Sequence, residues 1–113
     1  MSKITPSVMV SLTNEFLKEA EDDVVGLWEI VKVLEDRHGV EDEALLEQSL
    51  EVVQELLANG FLAGDPPYSA GGYRPWADQR PDAVFDRIRS EWIALGHTPN
   101  IPDIVWFSRP DRV

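Results

Sequence analysis

Glu43, Glu47, Glu51 and Glu55 recur at intervals of four residues, and no lysine or arginine falls between Glu41 and Asp65. On a helix that interval sets the carboxylates in one row. Like charges so placed repel by roughly 0.2–0.5 kcal/mol per pair, so the row costs stability unless something cationic meets it. The chemistry of such a row is electrostatic: it draws in and orients a basic partner. The plainer alternative is a solvated face on a helix held by its buried side.

Other chemistries have less to stand on. The histidines, His38 and His97, are far apart in sequence. Asp22-Asp23 and Glu41-Asp42-Glu43 lack the alternating ligands and bend glycine of a calcium loop. No metal and no other cofactor is therefore expected. There is no cysteine, which removes thiolate nucleophiles, disulfides and thiolate metal sites. No G-x-S-x-G is present, and Ser69-Ala70-Gly71-Gly72 lacks the lysine of a phosphate loop. Carboxylate pairs do acid–base work only when burial raises a pKa, and spacing singles out no pair among 21 acids. The expectation is a chain with no catalytic residues, not an enzyme.

The net charge of −11 is uneven along the chain. Residues 1–65 hold 15 acids and 4 bases, which accounts for all of it, whereas residues 66–113 hold 6 of each. Such a field repels nucleic acid and anionic membranes and favours basic proteins. No apolar run of about 18 residues exists, so no membrane span is expected. The Met-Ser-Lys-Ile-Thr-Pro start lacks the apolar stretch of a signal peptide. A cytoplasmic protein is the default expectation.

The elements that must position these residues follow from periodicity. The length suits a single domain over 1–113, with 1–5 loose and 64–72 a loop. Val8, Met9, Leu12, Phe16 and Leu17 predict a helix from Pro6 to about Glu21. Its apolar face from Val8 to Leu17 exceeds what one core covers, so a homodimer is also allowed. Asp22-Asp23 reads as the cap of a second helix, Val24 to His38, with Leu27, Ile30, Val31 and Leu34 inward and Gly39 as its stop. Gly26 in its first turn is either a flaw or a place of close packing. Residues 43–57 form the third helix, on Leu46, Leu50, Val53 and Leu57, with Asn59-Gly60 ending it.

Phe61–Ala63 and Tyr73–Trp76 then read as a hairpin. Pro81 opens a fourth helix that runs to Leu95 on Val84, Phe85, Ile88 and Trp92. Ile104–Phe107 is the most strand-like run and is placed as a third strand beside the hairpin. The class is α+β, mostly helical, with a small antiparallel sheet and a winged-helix-like order. That order invites a DNA-binding reading, with 43–57 in the groove. Four glutamates without a cation on that helix disfavour it, even with Arg74 on the wing.

Among the aromatics, Trp92 and Trp106 read as core. Tyr68, Tyr73 and Trp76 flank the loop, and with Arg74 they form a candidate docking patch of the residue types that dominate interfaces. Arg74 and Arg80 are alternatively free to pair with acids of the first half.

From Gly72 onward the chain runs GGYRPW and then IRSEWIALGHTPNIPDIVWF. Its W-x-x-L-G-x-x-P-N-I-x-D-I-x-W-F pattern rests on Trp92, Leu95, Gly96, Pro99, Asn100, Ile101, Asp103, Ile104, Trp106 and Phe107. It resembles the ending of a family of small uncharacterised bacterial proteins, over about the last third of the chain. The resemblance implies a bacterial origin and brings no activity. Physically the pattern is a helix stop, a stiff turn and a strand start, with Asn100 and Asp103 serving turn amides.

Taken together, the sequence leads to an acidic protein-binding module, of the kind an immunity protein or antitoxin presents to a basic toxin. Glu43, Glu47, Glu51 and Glu55 would carry the contact. The competing expectations are a regulatory or structural module docking through Tyr68, Tyr73, Arg74 and Trp76, and a small-ligand binder with a closed pocket.

Overall fold

The last strand of the chain runs through the middle of the sheet. A computed structural model describes residues 5–67 and 71–112. In order they form α1 (Pro6–Asp22), β1 (Val25–Gly26), α2 (Leu27–His38), α3 (Asp42–Ala58), β2 (Leu62–Asp65), β3 (Arg74–Pro75), α4 (Pro81–Leu95), β4 (Trp106–Ser108) and a closing 3-10 turn (Pro110–Arg112). The strands lie in the order β1-β4-β2-β3, with every pairing antiparallel. The class is α+β: four helices and a small antiparallel sheet.

Three of the helices, α1, α3 and α4, follow their apolar periodicity to within a residue or two. Thr5 is not loose, as its Oγ1 accepts the Val8 amide and caps α1. At the end of α3, Gly60 takes a φ of 89°. Its amide donates to Leu57 and the Phe61 amide to Leu56, so the last carbonyls are satisfied where a residue with a Cβ would be strained.

The second helix starts later than its pattern suggests. Asp23 closes α1, its amide bonding Glu19, and does not cap α2. Val25 and Gly26 are drawn into the sheet opposite Phe107 and Trp106, and the Leu27 amide donates to Val105. Strand pairing thus takes the backbone that would have made the first helical turn. β2 likewise runs on through Gly64 and Asp65, where Pro66-Pro67 finally stops it. The C-terminal strand begins at Trp106 because Ile104 sits at a φ of 63°, outside any strand conformation.

One buried cluster reaches from Leu12 in α1 to Phe107 in β4. It takes in Leu27, Ile30 and Leu34 of α2, Val52, Val53 and Leu56 of α3, and Val84 and Ile88 of α4. Phe107 is 0% exposed and is the bulkiest of the fully buried side chains. In the turn before it, the Asp103 carboxylate accepts the Asn100 amide at 2.7 Å, Asn100 takes part through its backbone, and Pro99 is buried. Trp106 Nε1 donates back to the Ile101 carbonyl at 3.1 Å, fastening the strand to its own turn.

Gly26 is where this tail meets β1. A Cβ there would lie 2.6 Å from Trp28 Cδ1 and 2.7 Å from Trp106 Cε2. Two indoles close on bare backbone, which settles why a glycine stands at the edge of a helix. Gly26→Ala is expected to cost about 2–3 kcal/mol, the penalty for forcing a methyl into a filled site. A lower urea midpoint with an unchanged slope checks it.

Candidate functional site: the acidic face of α3 and its flanking clefts

The carboxylates of Glu43, Glu47, Glu51 and Glu55 all reach solvent, while Leu45, Leu50, Val52, Val53 and Leu56 turn inward. They do not form one uniform row. A step of four residues overshoots a helical turn by about 40°, so three steps wind the row about 120° around the axis. Glu43 therefore faces one neighbour of α3 and Glu55 another.

Arg89 of α4 interrupts the row. Its Nη2 lies 3.0 Å from Glu47 Oε1, and its Nε donates to Oε2. The same pair, by hydrogen bonding first, raises the arginine pKa above its usual value. Among the described residues it is the one ion pair made by these four glutamates. Glu47 is thus balanced from within the molecule, whereas Glu43, Glu51 and Glu55 make no ion pair among the described residues.

On the Glu43 side, α3 begins beside the end of α4 and a flank of α2. The gap is a cleft of about 660 Å³. Its carboxylates are Glu35 from α2 and Glu41, Asp42 and Glu43 from the head of α3, with apolar surface from Leu46, Trp92 and Ile93. Asp42 holds a φ of 54°, an unusual conformation that asparagine and aspartate tolerate better than most. Ile93 is 75% exposed. His97 stands on the rim, its Nδ1–H donating to the Thr98 carbonyl at 2.8 Å. In the neutral ring that leaves Nε2 as an acceptor.

On the Glu55 side, Glu51 and Glu55 border a smaller groove of about 220 Å³ against α1, with Met9, Val10 and Thr13 across it. Val10 is largely exposed. The acidic face is therefore two sites, separated by the Glu47–Arg89 pair.

The loop aromatics do not form the exposed patch expected of them. Trp76 is 6% exposed, its Nε1 donating to Asp65 Oδ1 at 3.0 Å and its ring lying 3.8 Å beneath the Arg87 guanidinium. Arg87 also binds Glu91 at 2.7 Å, so the indole is clamped between the hairpin and α4. Tyr73 is half-buried and its hydroxyl donates to the Leu62 carbonyl; burial pushes its pKa up to about 12. Arg74 is exposed and lies over Gly71, where a Cβ would meet its guanidinium. Tyr68 lies outside the described residues.

Nor do Arg74 and Arg80 join the two halves. Arg80 bonds its near neighbour Asp78. The bridging falls to Arg87 with Asp65 and Arg89 with Glu47.

Sequence reasoning missed Glu29. It sits in the first turn of α2, and its Oε2 is buried with no partner. Burial above all, then the neighbouring Glu19 carboxylate and Asp23, pushes its pKa up to about 7, against a downward pull from the Gly26 backbone. Burial and the neighbouring carboxylates both favour the protonated form. The only signal in the sequence was a glutamate beside an apolar stripe, which is common. Trp28 Nε1, one residue earlier, is also buried without an acceptor.

No protein-family model, curated protein or solved structure matches the chain. The residues alone carry the functional argument. Among those described, no three His, Asp or Glu side chains gather as a metal site, and no helix is long and apolar enough to cross a membrane.

Glu29 predicts a pH dependence. The folded chain holds its proton more tightly than an unfolded chain does, about 7 against 4.5. The stabilising contribution is complete below the lower value and is lost as pH rises through the higher one. Glu29→Gln keeps the group neutral, so it is expected to gain about 1–2 kcal/mol near pH 8, a figure reduced for solvent screening at the open side of the site. Near pH 4.5 the two proteins should differ little. Urea unfolding at both pH values checks this.

Proposed function

We propose that the chain is a non-catalytic binding module that receives a basic protein on the acidic face of α3. The observation that carries it is the exposure of Glu43, Glu51 and Glu55 without an ion pair among the described residues, beside the internally balanced Glu47. Like charges at this spacing on one helix repel one another, by roughly 0.2–0.5 kcal/mol per pair. A partner that brings lysines or arginines relieves their repulsion and gains speed of encounter from the net charge of −11. Nucleic acid is repelled by the same field.

An immunity or antitoxin role is the concrete form of this reading. Carboxylates held on a rigid helix stand in for the phosphates that a basic nuclease binds, so the two acidic sites would occupy its nucleic-acid groove. Docking through the loop aromatics has less support, because Trp76 and Tyr73 spend their surface on the molecule itself. A small-ligand pocket has less support too, since the cleft at the head of α3 is lined with carboxylates and carries an exposed isoleucine.

Association with a panel of basic nuclease domains, followed by stopped-flow fluorescence from low to high salt, tests the reading. With a cognate domain, the triple replacement Glu43→Gln, Glu51→Gln, Glu55→Gln is expected to slow association about tenfold and flatten its salt dependence. Arg89→Ala, which frees Glu47, is expected to raise the rate. An on-rate indifferent to both changes contradicts the proposal.

A further inference from the structure

The cleft at the head of α3 combines two features that a merely solvated face does not need. Glu35, Glu41, Asp42 and Glu43 come to it from two helices and the turn between them, and no lysine or arginine lines it. Between them lies apolar surface, with the Trp92 ring partly buried and Ile93 75% exposed. Ile93 is the most exposed large hydrophobic among the described residues, and it lines the same cleft as the four carboxylates.

A second trough of about 510 Å³ adjoins this cleft, sharing Glu35 and Thr98 with it. Trp28, Pro99 and Ile101 line it, and Ile101 is also exposed. Lys32 on its edge is held by Asp36 at 3.1 Å, which lessens its opposition to an incoming cation. Through these shared residues the two hollows form one path, with the carboxylates at one end and Trp92, Ile93, Trp28, Pro99 and Ile101 along it.

The geometry points to this path as the seat of a peptide segment that alternates basic and apolar side chains: apolar anchors set on Ile93 and Trp92, with arginine or lysine reaching Glu35, Glu41, Asp42 and Glu43. The inference rests on the protein-binding reading above and names the part of the partner that is gripped. Charge selects a cation, because the charged side chains that line the cleft among the described residues, Glu35, Glu41, Asp42 and Glu43, are all acids. The exposed aliphatic surface selects against a purely polar one, since water must leave it for contact to be favourable. An ordinary polycation would use the carboxylates and leave Ile93 wet.

Two fluorescein-labelled octapeptides test it by anisotropy, one alternating arginine with leucine and one alternating arginine with serine. The leucine peptide is expected to bind about tenfold more tightly, the gain from burying one or two aliphatic anchors. Ile93→Ser, at a position too exposed to matter to the core, should remove that advantage and leave the serine peptide unchanged. Glu35→Gln with Glu43→Gln should weaken both. Equal binding of the two peptides, or an advantage that survives Ile93→Ser, overturns the inference. If binding is equal but still falls on replacing Glu51 and Glu55, the acidic-face reading stands without this cleft. If neither peptide binds, both fail.

Discussion

Phe107 pairs with Val25 on one side and Ala63 on the other, and the rest of the structure depends on that double pairing. A strand at the centre of a sheet has to be in place before either neighbour is complete. Here one of the two interior strands, β4, is the last strand of the chain. β1 exists only because β4 lies against it, and α2 begins where that pairing lets go. The long return from β3 to β4 brings α4 against α3, and Trp106, tied to Ile101 and packed at Gly26, holds the end of that return in place.

From this follows the character of the acidic face. α4 arrives with a cation at Arg89 and an exposed aliphatic side chain at Ile93, one turn further on. The first cancels the second carboxylate of the α3 row, and the other joins the cleft around the first. Seen along α3 alone, the glutamates are equivalent. Seen with α4 in position, one is neutralised, one belongs to an apolar-bedded cleft and two border α1. An individual exposed pair such as Glu47–Arg89 contributes only about 0–1 kcal/mol to stability. Its larger effect is to decide where the negative field is left open.

Much of this fold was legible in the residues, for a physical reason. Each of the four helices buries its own stripe, and a stripe is a local pattern: Leu27, Ile30 and Leu34 announce α2 without reference to anything distant. The αL stop at Gly60 and the proline start at Pro81 are equally local. β1 was illegible because two residues have no period, and Val25–Gly26 becomes a strand only through a partner some 80 residues away. Trp76 was misplaced for the same reason: an indole beside a glycine-rich loop looks available until Asp65 and Arg87 close on it. The winding of the Glu43–Glu55 row follows from helix geometry and was open to reading. Its interruption by Arg89, and the confinement of Glu29, depend on tertiary placement.

Amide hydrogen exchange of Trp106 and Phe107 tests the central role of the last strand most directly. If β4 is the strand on which the sheet closes, these amides exchange only through global unfolding, with protection matching the unfolding free energy and equal to that of the buried centre of α3. Exchange markedly faster than that of α3, as from a tail that detaches while the helices stay folded, would contradict the account.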